Sequence, residues 1–206
     1  MPFLGAERLT AQVFTCYLLN LPDGIPVAGI ERGLIECEGK WGLTNPGSER
    51  NLVWPWAECQ AATVLAYMHD QRAYEHLNRA AQITSQLGAF PEKVRPDCFW
   101  IGFYYTTCCG AFAWAVNSML AHSRGDTLSI LPAAPVDWAD VAFTNLRVAP
   151  GLLVSAEARH GALAHLAVTN DSPAPISSKL DVPPRWLGTN ALPEILSLAP
   201  GETWTI

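Results

Sequence analysis

Charged side chains are scarce in this 206-residue sequence, because Asp, Glu, Lys and Arg together make up only 16% of it while half of the residues are apolar. The 13 Lys and Arg are scattered and are outnumbered by 19 Asp and Glu, which leaves a formal net charge of −6. Binding to the phosphates of nucleic acid needs a concentrated basic surface. We therefore expect no nucleic-acid partner, whereas the apolar content is sufficient for a large core.

Long apolar runs are also missing. No segment approaches the roughly 20 consecutive apolar residues of a membrane-spanning helix, so we expect no membrane partner. The N-terminal segment contains Glu7 and lacks a basic region followed by an apolar core. This pattern predicts no secretory signal peptide, and it leaves the cellular compartment undetermined.

Several motifs of metal binding and catalysis are absent. The six cysteines contain no C-x-x-C spacing, and no histidine falls near a cysteine pair, so we expect no metal ion and no cofactor. Because Cys108 and Cys109 are adjacent, and Cys16 and Cys59 lie in apolar helical patterns, buried reduced thiols are favoured over a disulfide framework. There is no G-x-S-x-G elbow and no phosphate-binding glycine loop.

Apolar residues at helical spacing dominate the first half of the chain. They predict helices at residues 6–19, about 56–69, about 71–87 and about 111–122, with a short additional helix at about 30–36. The tight connection at residues 69–71 predicts that the helices on either side of it are antiparallel neighbours. Gly88 occupies the position expected for a left-handed helix cap.

The pattern changes at about Asp126. From there, short alternating apolar runs are separated by Pro, Gly and Asn turns, and they cover residues 128–131, 152–158, 162–169, 176–180 and 203–206. Strands of this length with turns at this spacing predict an antiparallel β-sandwich. We therefore expect an α+β chain with a helical unit at residues 1–125 and a β-sandwich domain at residues 126–206.

Residues 88–121 contain most of the chemically suggestive side chains. A loop with two acids and two bases holds Glu92, Lys93, Arg95 and Asp97. Five aromatic residues follow in seven positions, and they are Phe99, Trp100, Phe103, Tyr104 and Tyr105. Carboxylates beside aromatic faces are typical of sugar sites, because rings stack on the apolar sugar faces while polar groups bind the hydroxyls. Two alternatives stay open, namely aromatic core packing and a salt-bridged surface loop.

Five motifs follow one another between residues 88 and 147. They are GAFPEKVRPD at 88–97, a Gly-Ala-Phe helix from 110 that continues with Asn-Ser-Met-Leu at 117–120, Asp-Thr-Leu at 126–128, LPAAPVDW at 131–138 and FTNLR at 143–147. This order resembles the C-terminal end of the six-hairpin glycosidases, nearest to the α-L-fucosidase-like family 95 of the glycoside hydrolases. The resemblance covers most of residues 52–170. It implies a partial (α/α)6 toroid of helical hairpins in residues 1–125, followed by the C-terminal antiparallel β-sandwich.

The resemblance also implies an activity. A glycoside hydrolase of this kind cleaves a terminal sugar from an oligo- or polysaccharide, with water as second substrate and without a cofactor. The fucosidases carry their catalytic Asp in a run that aligns with residues 106–110, where this sequence has Thr106, and their general-acid Glu would lie upstream of Met1. The chain is therefore expected to be the C-terminal part of such an enzyme. The alternative is a non-catalytic carbohydrate-binding or structural remnant of one.

Candidate site residues follow from position and residue type. Glycoside hydrolysis needs two carboxyl groups, for which Glu92 is the first candidate and Asp97 the second. Glu58 is a candidate sugar contact in the first turn of a helix, where stabilisation of the helix N-terminus explains it equally well. The other candidate sugar contacts are Trp54, Trp56, Trp100, Tyr104 and Thr106. Because helices taken from a closed ring expose apolar flanks, we also expect self-association of the chain.

Overall fold

The computed structural model describes residues 27–39, 42–43, 52–85, 87–95, 100–189 and 191–206. The helix expected at residues 6–19 lies outside this part of the chain. By its internal contacts the chain divides into two compact units, Met1–Val116 and Asn117–Ile206.

The described elements are mainly helical in the first unit and mainly strands in the second. The helices are α1 (Val27–Cys37), α2 (Pro55–Tyr67), α3 (Arg72–Gln82), α4 (Thr106–Leu120) and α5 (Pro184–Leu187). The strands are β1 (Pro91–Val94), β2 (Trp100–Tyr104), β3 (Ala121–Arg124), β4 (Thr127–Ile130), β5 (Val141–Val148), β6 (Leu152–Arg159), β7 (Ala162–Asn170), β8 (Ile176–Asp181), β9 (Ile195–Leu198) and β10 (Thr203–Thr205). None of the described helices is long and apolar enough to cross a membrane.

Helices α2 and α3 pack against each other, as the short connection between them predicts. Helix α2 begins with Pro55, which is pre-organised for the first helical turn, and it is buried almost all round. Helix α3 instead buries only one face, at Ala73, His76, Leu77 and Ala80, whose spacing is that of an amphipathic helix. Both helices were thus expected from the sequence.

Two boundaries in the first unit differ from the expectation. Helix α3 ends at Gln82, and Gly88, with φ of 77°, lies in the following turn, so the prediction of a glycine cap at the end of this helix is wrong. That turn is closed by Ser85, whose hydroxyl accepts hydrogen bonds from two backbone N–H groups. Helix α4 begins at Thr106, five residues before the expected start, because the chain leaves β2 directly into the helix.

The second unit contains two four-stranded sheets. One has the strand order β10-β7-β6-β5 with antiparallel neighbours throughout, and the other has the order β3-β4-β8-β9. In β6 buried and less buried residues alternate, as expected for a strand with one face on a core. Apolar side chains from both sheets, among them Leu128, Val154, Leu166 and Leu196, form one buried cluster.

The structure corrects the expected fold class in two respects. The predicted partial (α/α)6 toroid is wrong, because the described residues of the first unit contain one packed helical pair, a β-hairpin and further helices, without a ring of helical hairpins. The predicted purely antiparallel sandwich is also wrong, because β4 and β8 pair in parallel. Helical periodicity identifies individual helices, but it carries no information on whether they close into a ring.

Candidate functional site

One side of helix α4 is exposed and carries aromatic, hydroxyl and small side chains. Thr106, Gly110, Ala113 and Trp114 are all exposed, and their spacing places them on the same side of the helix. We call this surface the α4 face. A Cβ atom added at Gly110 would meet no atom within 4 Å, so the middle of the face is open.

The opposite side of α4 is anchored in the core of the first unit. Cys108 and Ala111 are buried and cluster with Cys59, Ala80 and Phe90. Because these contacts hold the helix on its buried side, the α4 face is presented by a packed element. Binding residues on such elements are held more firmly than residues on loops.

Trp114 is the largest side chain of the α4 face and is 51% exposed. Its indole N–H donates a hydrogen bond to the hydroxyl of Tyr67 at 3.0 Å, which ties the ring to helix α2. Nothing in the sequence distinguished Trp114 from the apolar residues around it. The one indication in the sequence was its spacing. Trp114 lies eight residues after Thr106, which places the two residues about 12 Å apart along the same side of a helix.

Tyr104 precedes the helix at the end of β2 and is 59% exposed. It pairs with Pro91 in the hairpin formed by β1 and β2, and the next residue, Tyr105, donates its backbone N–H to Phe90 at 2.8 Å. Tyr104 and Thr106, both expected as sugar contacts, therefore lie where the hairpin joins the α4 face. Tyr104 and Thr106 lie close together because they are only two residues apart in the chain.

Glu92 lies in β1 of the same hairpin and is half-buried. The pairing register shifts between Pro91 and Lys93, so Glu92 occupies an irregularity of the β-bulge type. Such bulges redirect a side chain relative to a regular strand. Glu92 forms no ion pair with any side chain that the structure describes.

Two of the sequence-derived candidates belong to regions that are not fully described. Asp97 lies outside the described residues. Trp100 begins β2 and its backbone pairs with Val94, while its side chain lies outside what the structure describes.

Trp54 and Trp56 belong to an aromatic cluster and are half-buried. Their ring centroids are 5.0 Å apart with an edge-to-face arrangement, and Trp56 meets Tyr105 in the same manner at 5.9 Å. Trp56 and Tyr105 also pack against the core on which α4 rests. The indole N–H of Trp54 is buried and has no hydrogen-bond acceptor among the described residues. Trp56 is therefore part of the packing on which α4 rests, and Trp54 contacts it.

Glu58, another candidate sugar contact, is 0% exposed. Its Oε1 accepts the backbone N–H of Leu43 at 2.6 Å, and its Oε2 lies 2.5 Å from His76 Nδ1. Arg79 Nη1 lies 3.8 Å from Oε1. The carboxylate is thus surrounded by protein groups, and the structure does not bring it to the surface on which Tyr104 and Thr106 lie.

Other carboxylates of the first unit are engaged by arginines. Arg72 pairs with both Asp70 and Glu31, and these hydrogen bonds lower the pKa of each of the two acids and raise the pKa of Arg72. Arg79 pairs with Glu38 at 2.8 Å. The described residues contain no group of three His, Cys, Asp or Glu side chains that could hold a metal ion.

The second unit has an open depression of about 360 Å³ between the ends of β5 and β6. It is lined by Asp140, Val141, Ala142, Glu157, Ala158, Arg159 and His160. Arg159 pairs with Glu157 at 2.6 Å, and Asp140 accepts the backbone N–H of His160 at 3.0 Å. Its charged groups are therefore largely occupied with one another, and it offers no aromatic surface.

A comparison of the chain with known proteins supplies no further identification. No protein-family model matches it, and no curated protein matches it.

Proposed function

We propose that the chain acts in glycoside hydrolysis, as part of a glycosidase that cleaves a terminal sugar from an oligo- or polysaccharide, and that the α4 face with Tyr104 is its sugar-binding surface. The observation that carries this proposal is the pair of exposed aromatic residues, Tyr104 just before helix α4 and Trp114 within it, which precede and follow the exposed residues Thr106 and Gly110 in the chain. The motif order of residues 88–147 supports the same activity.

The chemistry of the surface fits a carbohydrate. An aromatic ring binds the apolar C–H face of a pyranose, and the hydroxyl of Thr106 can both donate and accept hydrogen bonds with sugar hydroxyls. The open space above Gly110 lets a ligand approach the helix closely. The four residues of the α4 face and Tyr104 carry no charge, which favours a neutral sugar.

Glu92 is the acid that this proposal assigns to catalysis. It lies in the hairpin that leads to Tyr104 and has no ion-pair partner among the described side chains, so its carboxyl group is available to a ligand. The second carboxyl group that hydrolysis needs is Asp97, as the sequence predicts. Glu58 takes no part, because its carboxylate is enclosed by His76 and Leu43.

A second candidate function is carbohydrate binding without catalysis. It is favoured by the ion pairs that occupy four of the other carboxylates in the first unit. Within the described part of the first unit, four acids are occupied by His76, Arg72 or Arg79, and they are Glu31, Glu38, Glu58 and Asp70. A chain that binds sugar but lacks a second available acid would hold a glycan without cleaving it.

Sugar binding is tested by titrating the purified chain with neutral oligosaccharides in a calorimeter. Trp114→Ala and Tyr104→Ala should each weaken binding by roughly twofold to thirteenfold, since one aromatic contact contributes about 0.5–1.5 kcal/mol. Leu87→Ala is the matched control, because Leu87 is an exposed apolar residue of the same unit that belongs to the turn between α3 and β1 and not to α4. An absence of saccharide binding by the unmodified chain would overturn both candidate functions.

Hydrolysis is tested on a panel of aryl glycosides and oligosaccharides. Turnover that is lost in Glu92→Gln, while calorimetric binding persists, would support the glycosidase. Binding without turnover of any bound sugar by the unmodified chain would instead establish the non-catalytic alternative. Turnover that is unchanged in Glu92→Gln would remove Glu92 from the mechanism.

A further inference from the structure

Two buried cysteines from different helices meet in the core of the first unit. Cys59 of α2 and Cys108 of α4 are both 0% exposed, and their sulfur atoms lie 4.0 Å apart. The two residues are 49 positions apart in the chain, so this contact exists only in the folded protein. Their neighbours include the small side chains of Ala80 and Ala111.

A disulfide bond between Cys59 and Cys108 requires their sulfur atoms to approach each other further. A disulfide bond has an S–S distance of about 2.04 Å, so bond formation requires a shift of about 2 Å. Rotation about the Cα–Cβ bond of each cysteine moves its sulfur atom while the backbone stays in place. Cys108 also lies in the first turn of α4, where helices fray most readily.

We propose that Cys59 and Cys108 form an oxidation-sensitive thiol pair, which a hydroperoxide converts into a disulfide that links α2 to α4. This is a modification site independent of the sugar-binding surface. It lies directly beneath that surface, because Cys108 belongs to the buried side of the helix whose opposite side is the α4 face.

The reaction balances with one molecule of hydrogen peroxide. The sulfur of Cys108 attacks one peroxide oxygen, the O–O bond breaks, and a sulfenic acid and one water are formed. The sulfur of Cys59 then attacks the sulfur of the sulfenic acid, the S–O bond breaks, and the departing hydroxide takes the thiol proton to form a second water. Two thiols are oxidised, and the peroxide is reduced to water.

Cys108 is assigned the first attack because it lies in the first turn of α4, where fraying of the helix admits a hydroperoxide most readily. The hydrogen bond with Cys108 and the burial of its sulfur raise the pKa of Cys59, which keeps it as a thiol. Cys109, the next residue in the chain, is exposed and provides an internal comparison, because it reacts without any opening of the core.

The test is cysteine mapping of the full chain. Reduced protein is treated with hydrogen peroxide, quenched, alkylated under denaturing conditions, digested and analysed by mass spectrometry. We expect a peptide pair joined through Cys59 and Cys108 that separates on reduction with dithiothreitol. The thermal midpoint of the first unit should rise by roughly 5–10 °C in the cross-linked protein and return after reduction.

The Cys109→Ser variant shows whether the cross-link uses Cys108 or the adjacent Cys109. Because Cys109 is exposed, this change leaves the core intact. The cross-link should persist in Cys109→Ser and be absent in Cys59→Ala. If Cys59→Ala fails to fold, the mapping of the unmodified chain and of Cys109→Ser still decides the matter. Recovery of Cys59 and Cys108 as alkylated thiols, or linkage of Cys108 to another cysteine, would refute the proposal.

Discussion

Glu58 Oε2 lies 2.5 Å from His76 Nδ1 in the interior of the first unit, and both side chains are buried. This contact joins α2 to α3, while the other oxygen of Glu58 binds the backbone of Leu43. The carboxylate therefore connects three segments of the chain. A residue of a type common in sugar sites is here a central part of the folded core.

Replacement of Glu58 by Ala should lower the free energy of unfolding by about 3–5 kcal/mol, because it leaves the His76 ring and the Leu43 N–H buried without an acceptor. Urea denaturation followed by circular dichroism measures the change. Glu75→Ala is the matched control, because Glu75 is an exposed acid on α3, and its effect should stay within about 0.5 kcal/mol. Equal effects of the two substitutions would contradict a structural role for Glu58.

Gly42→Ala should also destabilise the contacts of Glu58 with His76 and Leu43. Gly42 has φ of 148°, and a Cβ atom there would lie 2.5 Å from Glu58 Oε1. We expect a loss of about 1–3 kcal/mol, since both the backbone and the carboxylate would have to move. Gly110→Ala provides the contrast, because its Cβ would meet open space within a helix.

For Gly110→Ala we expect no loss, and a gain of up to about 1 kcal/mol, because alanine favours the helix more than glycine does. Both variants are measured by thermal and urea denaturation. A Gly42→Ala protein as stable as Gly110→Ala would show that the backbone around Gly42 lies farther from Glu58 than the structure indicates.

Local patterns in the sequence predict some of these features, and contacts between distant residues determine the others. The sequence predicts α2 close to its observed bounds and α3 close to its observed start, because apolar spacing is set within each segment. Strands β6 and β7 were found for the same reason, since their alternation is a local pattern. The burial of Glu58 depends instead on Leu43 and His76, which lie 15 and 18 positions away, and no local pattern reports it.

The missed features have similar physical causes. The burial pattern of β5 does not alternate regularly, and a register shift between Phe143 and Leu146 interrupts its pairing, so its sequence lacks the alternation that predicts a strand. The toroid was inferred from motif order, whereas ring closure depends on contacts between distant helices. In the candidate site, Tyr104 and Thr106 stood out by residue type, but the exposure of Trp114 became visible only once α4 was placed on its core.

The Arg72 cluster should stabilise the first unit at neutral pH and lose this contribution in acid. Hydrogen bonds from Arg72 lower the pKa of Glu31 and of Asp70. A carboxyl group with a lowered folded-state pKa stabilises the fold above its ordinary pKa of about 4, and the contribution disappears as the pH falls through the lowered value. All three side chains are partly exposed, so solvent screening limits the total to about 1 kcal/mol.

Arg72→Gln tests this pH dependence. Its stability deficit relative to the unmodified chain should be largest at pH 6–7 and should shrink towards about pH 3 as Glu31 and Asp70 become protonated. The deficit should also shrink at high salt, because the cluster is near the surface. Urea denaturation at several pH values measures it, and a deficit that grows in acid would contradict the assignment.

Asn170 in the second unit is completely buried, and both the nitrogen and the oxygen of its side-chain amide form two hydrogen bonds each. Its Nδ2 donates to the carbonyl oxygens of Ala174 and Leu198 at 2.9 and 3.1 Å, and its Oδ1 accepts from the backbone N–H and the hydroxyl of Ser172. Asn170 thereby ties the end of β7 to β9 and to the following turn. No smaller or differently charged side chain reproduces these four bonds.

Asn170→Asp should therefore cost about 3–5 kcal/mol at pH 7, because a buried carboxylate oxygen would face two carbonyl oxygens in place of a donor. The loss should be smaller at about pH 4, since a protonated carboxyl group can donate one of the two bonds again. Asp171→Asn is the matched control, because Asp171 is exposed and pairs only at the surface with Arg147, and its effect should stay below about 1 kcal/mol. Denaturation of both variants at the two pH values measures these changes, and a pH-independent loss in Asn170→Asp would show that the amide nitrogen does not lie between the two carbonyl groups.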